Sequence, residues 1–70
     1  MYKSKEAVNA VQQARTNGGH TQVETAVGSR VSLGTIRLAE RGIITRRTAA
    51  RLARFLGVEV DVLLGRKGGV

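Results

Sequence analysis

Apolar residues recur along the chain at helical spacing in separate short runs, and glycine, not proline, stands between them. Ala7, Val8, Val11 and Ala14 form one stripe, which predicts a first helix over 4–16, Ser4 to Thr16. Val23, Ala26 and Val27 fall at i, i+3 and i+4, and Ile36 and Ala39, helped by Val31, form the inward side of a third segment. Ala49, Leu52, Ala53 and Leu56 give a fourth helix that begins after Thr45 and stops at Gly57. Asn17-Gly18-Gly19 and Gly42 separate these runs, and Gly65 closes the last patterned stretch.

Val58-Glu59-Val60-Asp61-Val62 alternates strictly, as a strand does, yet Asp61 ahead of Val62-Leu63-Leu64 is also placed to open a short helix. The helix is the favoured reading, because a lone strand has no partner within one copy of the chain.

Local chemistry marks the helix ends in the middle of the chain. Thr21-Gln22-Val23-Glu24 has the capping-box form, in which the Thr21 hydroxyl accepts the N–H of Glu24 and the Glu24 carboxylate accepts the N–H of Thr21. Gly28 is able to close that helix in the left-handed conformation. Ser32 caps the next one, which runs through Glu40 to its end at Gly42. Two short helices joined by a tight break over about 21–42 have the outline of a helix-turn-helix. The outward side of the second carries Ser32, Leu33, Gly34, Arg37 and Arg41, a mixture that folding alone does not require.

Composition narrows the function. Seventy residues make one small domain, taken as 1–65 with a flexible basic tail over 66–70, and a chain of this size buries only about 60% of its unfolded surface. That leaves little room for a deep catalytic pocket. The five acids Glu6, Glu24, Glu40, Glu59 and Asp61 show no catalytic spacing, and Ser29 and Ser32 fit a turn and a cap better than a nucleophile, so no enzyme is expected. Twelve Lys and Arg against five Asp and Glu give a net charge of +7, which implies a polyanionic partner. Cysteine is absent and His20 stands alone, so neither a metal site nor any other cofactor is expected, and no small-molecule ligand is implied. Tyr2 is too little aromatic surface for single-strand stacking. No apolar run approaches the roughly 20 residues of a membrane span, and the expected location is the cytoplasm.

Arg46 and Arg47 occupy the first turn of the fourth helix, where each cation opposes the macrodipole at a cost of some 0.3 to 1 kcal/mol. A phosphate docked on the free N–H groups beside Thr45 removes that conflict. Arg30, just ahead of the third helix, invites the same reading more weakly. Arg51 and Arg54 read as an ordinary solvated face.

From Arg15 to Leu64 the chain resembles the phage-repressor and Cro-type helix-turn-helix family, the xenobiotic-response-element-like regulators. The matching residues are Arg15, Gly19, Gln22, Ala26, Val31-Ser32, Ile36, Glu40-Arg41-Gly42, Leu56-Gly57-Val58 and Leu63-Leu64. The resemblance implies an all-α, lambda-repressor-like bundle of four to five short helices that binds double-stranded operator DNA. The chain also departs from the pattern. Without a gap, Thr25 and Ser29 fill the apolar positions flanking Ala26, and Arg30 replaces the turn glycine. With a turn lengthened by Ser29 and Arg30, Val23 and Val27 become the buried pair and Gly28 the turn glycine. Both registers keep the third helix in place.

On the family's mechanism the third helix enters the major groove, with Ser32, Leu33, Gly34, Arg37 and Arg41 as base-reading candidates. Arg37 is the candidate for a bidentate contact to guanine, and Leu33 for a thymine methyl. Thr21, Gln22, Arg30, Thr45, Arg46 and Arg47 are the phosphate-binding candidates, with Gln22 able instead to brace the reading helix. Arg15 and Glu40 resemble the family's internal ion pair. One module spans one half-site, so a homodimer is expected, with Val58, Val60, Val62 and Leu64 as its interface. The other function class is a protein-binding module of the same fold, an antitoxin or antiactivator.

Overall fold

The computed structural model describes the backbone of residues 5–65 and the side chains from Ala10 onward, so the side chains of Ala7 and Val8, Tyr2 and the tail at 66–70 lie outside the described residues. Five helices follow in order: α1 Lys5–Asn17, α2 Gln22–Ser29, α3 Leu33–Glu40, α4 Arg46–Leu56 and α5 Val60–Leu63. Among the described residues there is no strand. α3 packs between α1 and α2, α4 packs on α2 and α5, and α5 closes the bundle against α1.

The core is aliphatic and small. Val11 of α1, Val31 before α3, Ile36 and Ala39 of α3, Ala49, Leu52 and Ala53 of α4 and Leu63 of α5 are all buried. Ile36, Leu52 and Leu63 are wholly enclosed, and burying each contributes about 2 kcal/mol. The inward residues expected of α3 and α4 therefore meet one another in a single cluster, with Leu56, Ile44 and Ala14 at its margin.

Three caps form as local chemistry dictates. The Thr21 hydroxyl accepts the Glu24 N–H at 3.0 Å and the Glu24 carboxylate accepts the Thr21 N–H at 2.9 Å. Ser32 Oγ accepts the Thr35 N–H at 3.1 Å, and Thr45 Oγ1 accepts the Thr48 N–H at 3.1 Å. α4 ends at Gly57, whose φ of 72° is left-handed.

α2 takes the register without a gap. The helix runs through Gly28 to Ser29, and the left-handed residue that closes it is Arg30, at φ 60° and ψ 38°. Its buried side consists of Thr25 and Ser29, with Ala26 partly buried, while Val23 is 58% and Val27 74% exposed. Hydroxyls survive burial here because the helix satisfies them itself: Thr25 Oγ1 donates to the Thr21 carbonyl at 2.9 Å and Ser29 Oγ to the Thr25 carbonyl at 2.6 Å. Gly28 does not end the helix. It makes room for Phe55 of α4, whose ring would overlap any β-carbon placed there. The left-handed Arg30 costs about 1 to 2 kcal/mol against a glycine. Its N–H is satisfied by the Ala26 carbonyl, and its own carbonyl accepts from Arg51 Nη1 at 3.3 Å.

The segment 58–64 is helical, but Glu59 and not Asp61 stands at its N-cap, so α5 starts earlier than the acid at Asp61 implied. That start carries Leu63 into the core, with Val60 and Leu64 packed beside it. α1 ends at Asn17, one residue beyond the expected Thr16, while the expected start at Ser4 lies outside the described residues.

Candidate nucleic-acid interface

α3 stands at the surface with Ile36 and Ala39 turned inward, so the residues between them necessarily face out. Ser32, Gly34, Arg37 and Arg41 are exposed, while Leu33 is half-buried at the first turn. A β-carbon added at Gly34 would meet nothing within 4 Å, so no internal contact explains a glycine that costs about 1 kcal/mol of helix propensity.

One flank of α3 is anchored by a polar knot. Glu40 Oε2 lies 2.5 Å from Arg15 Nε, and Glu40 Oε1 accepts from Gln22 Nε2 at 3.1 Å. Arg15 Nη1 donates to the His20 carbonyl at 3.0 Å, tying in the loop before α2. A single carboxylate thus joins α1, α2 and α3, and its side chain is only 10% exposed. Gln22 is occupied as a brace of α3. The His20 ring packs on Phe55, with centroids 4.8 Å apart.

The other flank faces α4, and there Arg46 and Arg47 part company. Arg46 Nη2 lies 3.8 Å from Asp61 Oδ1 in an exposed pair, so this cation is turned toward α5. Arg47 instead lines an open cleft of about 270 Å³ beside the first turn of α3, together with Arg30, Ser32, Thr35, Thr48 and Arg51. Thr45 has its hydroxyl engaged by the α4 cap and by Thr48 Oγ1 at 3.2 Å, and Thr21 has its own engaged by the capping box. Farther along this flank, Leu38, Ile43 and Ile44 line a shallow hollow of about 340 Å³.

Arg51, expected to belong to an ordinary solvated face, is brought by the fold to the cleft beside α3. Its spacing of four from Arg47 puts the two on one side of α4, a signal present in the sequence, but only the packing of α4 shows what that side faces. Of the candidate dimer residues, Val58, Val60 and Leu64 pack partly buried against the core, whereas Val62 is half-buried outside that set.

Among the described residues no group of three or more His, Cys, Asp or Glu is placed to hold a metal ion, and no helix is long and apolar enough to cross a membrane. Compared with known families, residues 11–63 match the family model described as Helix-turn-helix, which spans about three quarters of the chain. No curated protein and no solved structure matches significantly.

Proposed function

Because the chain belongs to the Cro/C1-type helix-turn-helix family, whose domains bind DNA as transcription regulators, we propose that it is a small sequence-specific repressor that lays α3 in the major groove of a palindromic operator. The observation that carries this reading is the outward side of α3: a glycine with no internal role beside two exposed arginines, Arg37 and Arg41. Gly34 lets the helix backbone approach base edges, and Arg37 reads guanine through its fork, a contact that discriminates by about 1 to 3 kcal/mol. Ser32, Leu33 and Arg41 complete the reading set. Arg47 and the Thr21 hydroxyl hold phosphates at its edges, joined by Arg46 once it leaves its exposed pair with Asp61, and Gln22 supports it by bracing Glu40. Two copies joined through the C-terminal segment cover two half-sites, and a domain of this size represses by blocking polymerase. A phage, prophage or mobile-element regulator working in the cytoplasm fits this design.

Selection of bound fragments from random duplex DNA tests the reading. The wild type is expected to recover half-sites about one helical turn apart, and Arg37→Ala to flatten preference at a guanine while leaving the remaining positions intact. An unchanged motif retires the assignment of Arg37. Retention of no duplex at low ionic strength retires the DNA reading and leaves the protein-binding alternative, for which the exposed Val23 and Val27 on the outer side of α2 supply the surface.

A further inference from the structure

Three arginines from two parts of the chain converge on the cleft beside the first turn of α3. Arg30 comes from the turn between α2 and α3, and Arg47 and Arg51 come from successive turns of α4. No acidic residue lines the cleft, and the ion pairs found among the described residues, Arg15–Glu40 and Arg46–Asp61, involve none of the three. Like charges gathered in one concavity repel, which works against the fold. Arg30 adds a second cost in its left-handed backbone, which a glycine would remove. Two independent penalties at one place, neither of which improves packing, are both accounted for by an anion.

Hydroxyl chemistry points the same way. Ser32 Oγ and Thr35 Oγ1 lie 2.8 Å apart and Thr45 Oγ1 and Thr48 Oγ1 3.2 Å apart, so each pair uses one hydroxyl proton between its oxygens and keeps a second to donate, and Ser32, Thr35 and Thr48 line the cleft. Arg51 Nη1 bonds the Arg30 carbonyl, which holds that guanidinium over the turn and leaves its other N–H groups for a ligand.

We propose that this cleft is a phosphate clamp in which Arg30, Arg47 and Arg51 share one internucleotide phosphate of the strand running along the α4 flank of α3. This deepens the duplex reading and presupposes it. A helix in the major groove has a phosphate rail on each side, and backbone contacts of this kind set its register without reading sequence. On the flank of Gln22, Arg15 and Glu40 the fold spends its polar groups on itself. On the α4 flank three cations line the cleft with no acidic residue among its lining, beside two hydroxyl pairs that each keep a proton to donate.

The test compares wild type, Arg30→Gly, Arg51→Gln and the double variant on the selected duplex, with affinity measured across a salt series and thermal unfolding recorded for each. Arg30→Gly relieves the backbone, so it is expected to unfold no earlier than wild type and yet to bind about tenfold more weakly, as is Arg51→Gln. Since the arginines share one phosphate and Arg47 stays on it, each single variant lowers the slope of log affinity against log salt by much less than one contact's worth, and the double variant by more than either but still less than about 0.9. Base preference stays the same in all of them. A double variant with wild-type affinity and slope overturns the clamp while the duplex reading stands. So do slope losses of about 0.9 in each single variant that add in the double, since they mean separate phosphates. Weaker binding matched by earlier unfolding in both single variants makes Arg51 and Arg30 braces and also overturns it. A wild type that binds no duplex removes the clamp and its parent reading together.

Discussion

Phe55 of α4 packs on the backbone of α2 at Gly28 so closely that a β-carbon at Gly28 would stand 2.6 Å from Cζ and nearer still to Cε1. This contact leaves no room for a side chain at Gly28 between the two helices. Alanine at Gly28 gains about 1 kcal/mol of helix propensity but forces the ring or the helix aside, at about 1 to 3 kcal/mol of overpacking. Gly28→Ala is therefore expected to lower the midpoint of thermal unfolding, and Phe55→Leu in the same chain to recover part of the loss. A raised midpoint in the single variant would contradict the contact.

Glu40 is the point at which α1, α2 and α3 are tied. Replacing it by alanine leaves the Arg15 guanidinium, 13% exposed, without its partner and strands the Gln22 amide. Removing one member of a pair this enclosed costs about 3 kcal/mol, and Glu40→Gln, which keeps an acceptor, less. Denaturant titration of both variants measures the difference. A loss under about 0.5 kcal/mol for Glu40→Ala would place the pair among ordinary surface bridges.

Gly34 separates stability from binding. Since a β-carbon there meets no neighbour, Gly34→Ala is expected to stabilise the fold by up to about 1 kcal/mol. On the proposed reading the same methyl group stands where α3 approaches DNA, so duplex affinity is expected to fall at least several-fold. Thermal unfolding and duplex titration of one preparation report both effects. Affinity equal to wild type would mean that the backbone at Gly34 keeps its distance from the bases.

The proposed dimer is tested at Val62. Val58, Val60 and Leu64 contribute to the core, so their loss would confuse folding with assembly, whereas Val62 lies outside that packing. Val62→Glu is expected to leave helix content and unfolding nearly unchanged and to shift sedimentation from dimer to monomer. Wild type that sediments as a monomer at high micromolar concentration without DNA would remove the C-terminal interface.

Much of this protein was legible without coordinates because it rests on interactions within one turn of helix. The caps at Thr21, Ser32 and Thr45 each need only a hydroxyl and an N–H three residues on, so sequence spacing decides them. The stripes of α3 and α4, and the outward placement of Gly34 and Arg37, follow from helical periodicity once Ile36, Ala39 and Leu52 are taken as inward. Hydrophobicity failed at α2, where the valines lie outside and Thr25 and Ser29 inside, because a hydroxyl bonded to its own helix can be buried and a valine can be left in water at modest cost. Phe55 meets Gly28 inside α2, and Arg51 meets the carbonyl of Arg30 in the turn. Both are contacts between residues far apart in the chain. No local pattern encodes such a meeting, since it exists only after the core has drawn α2 and α4 together.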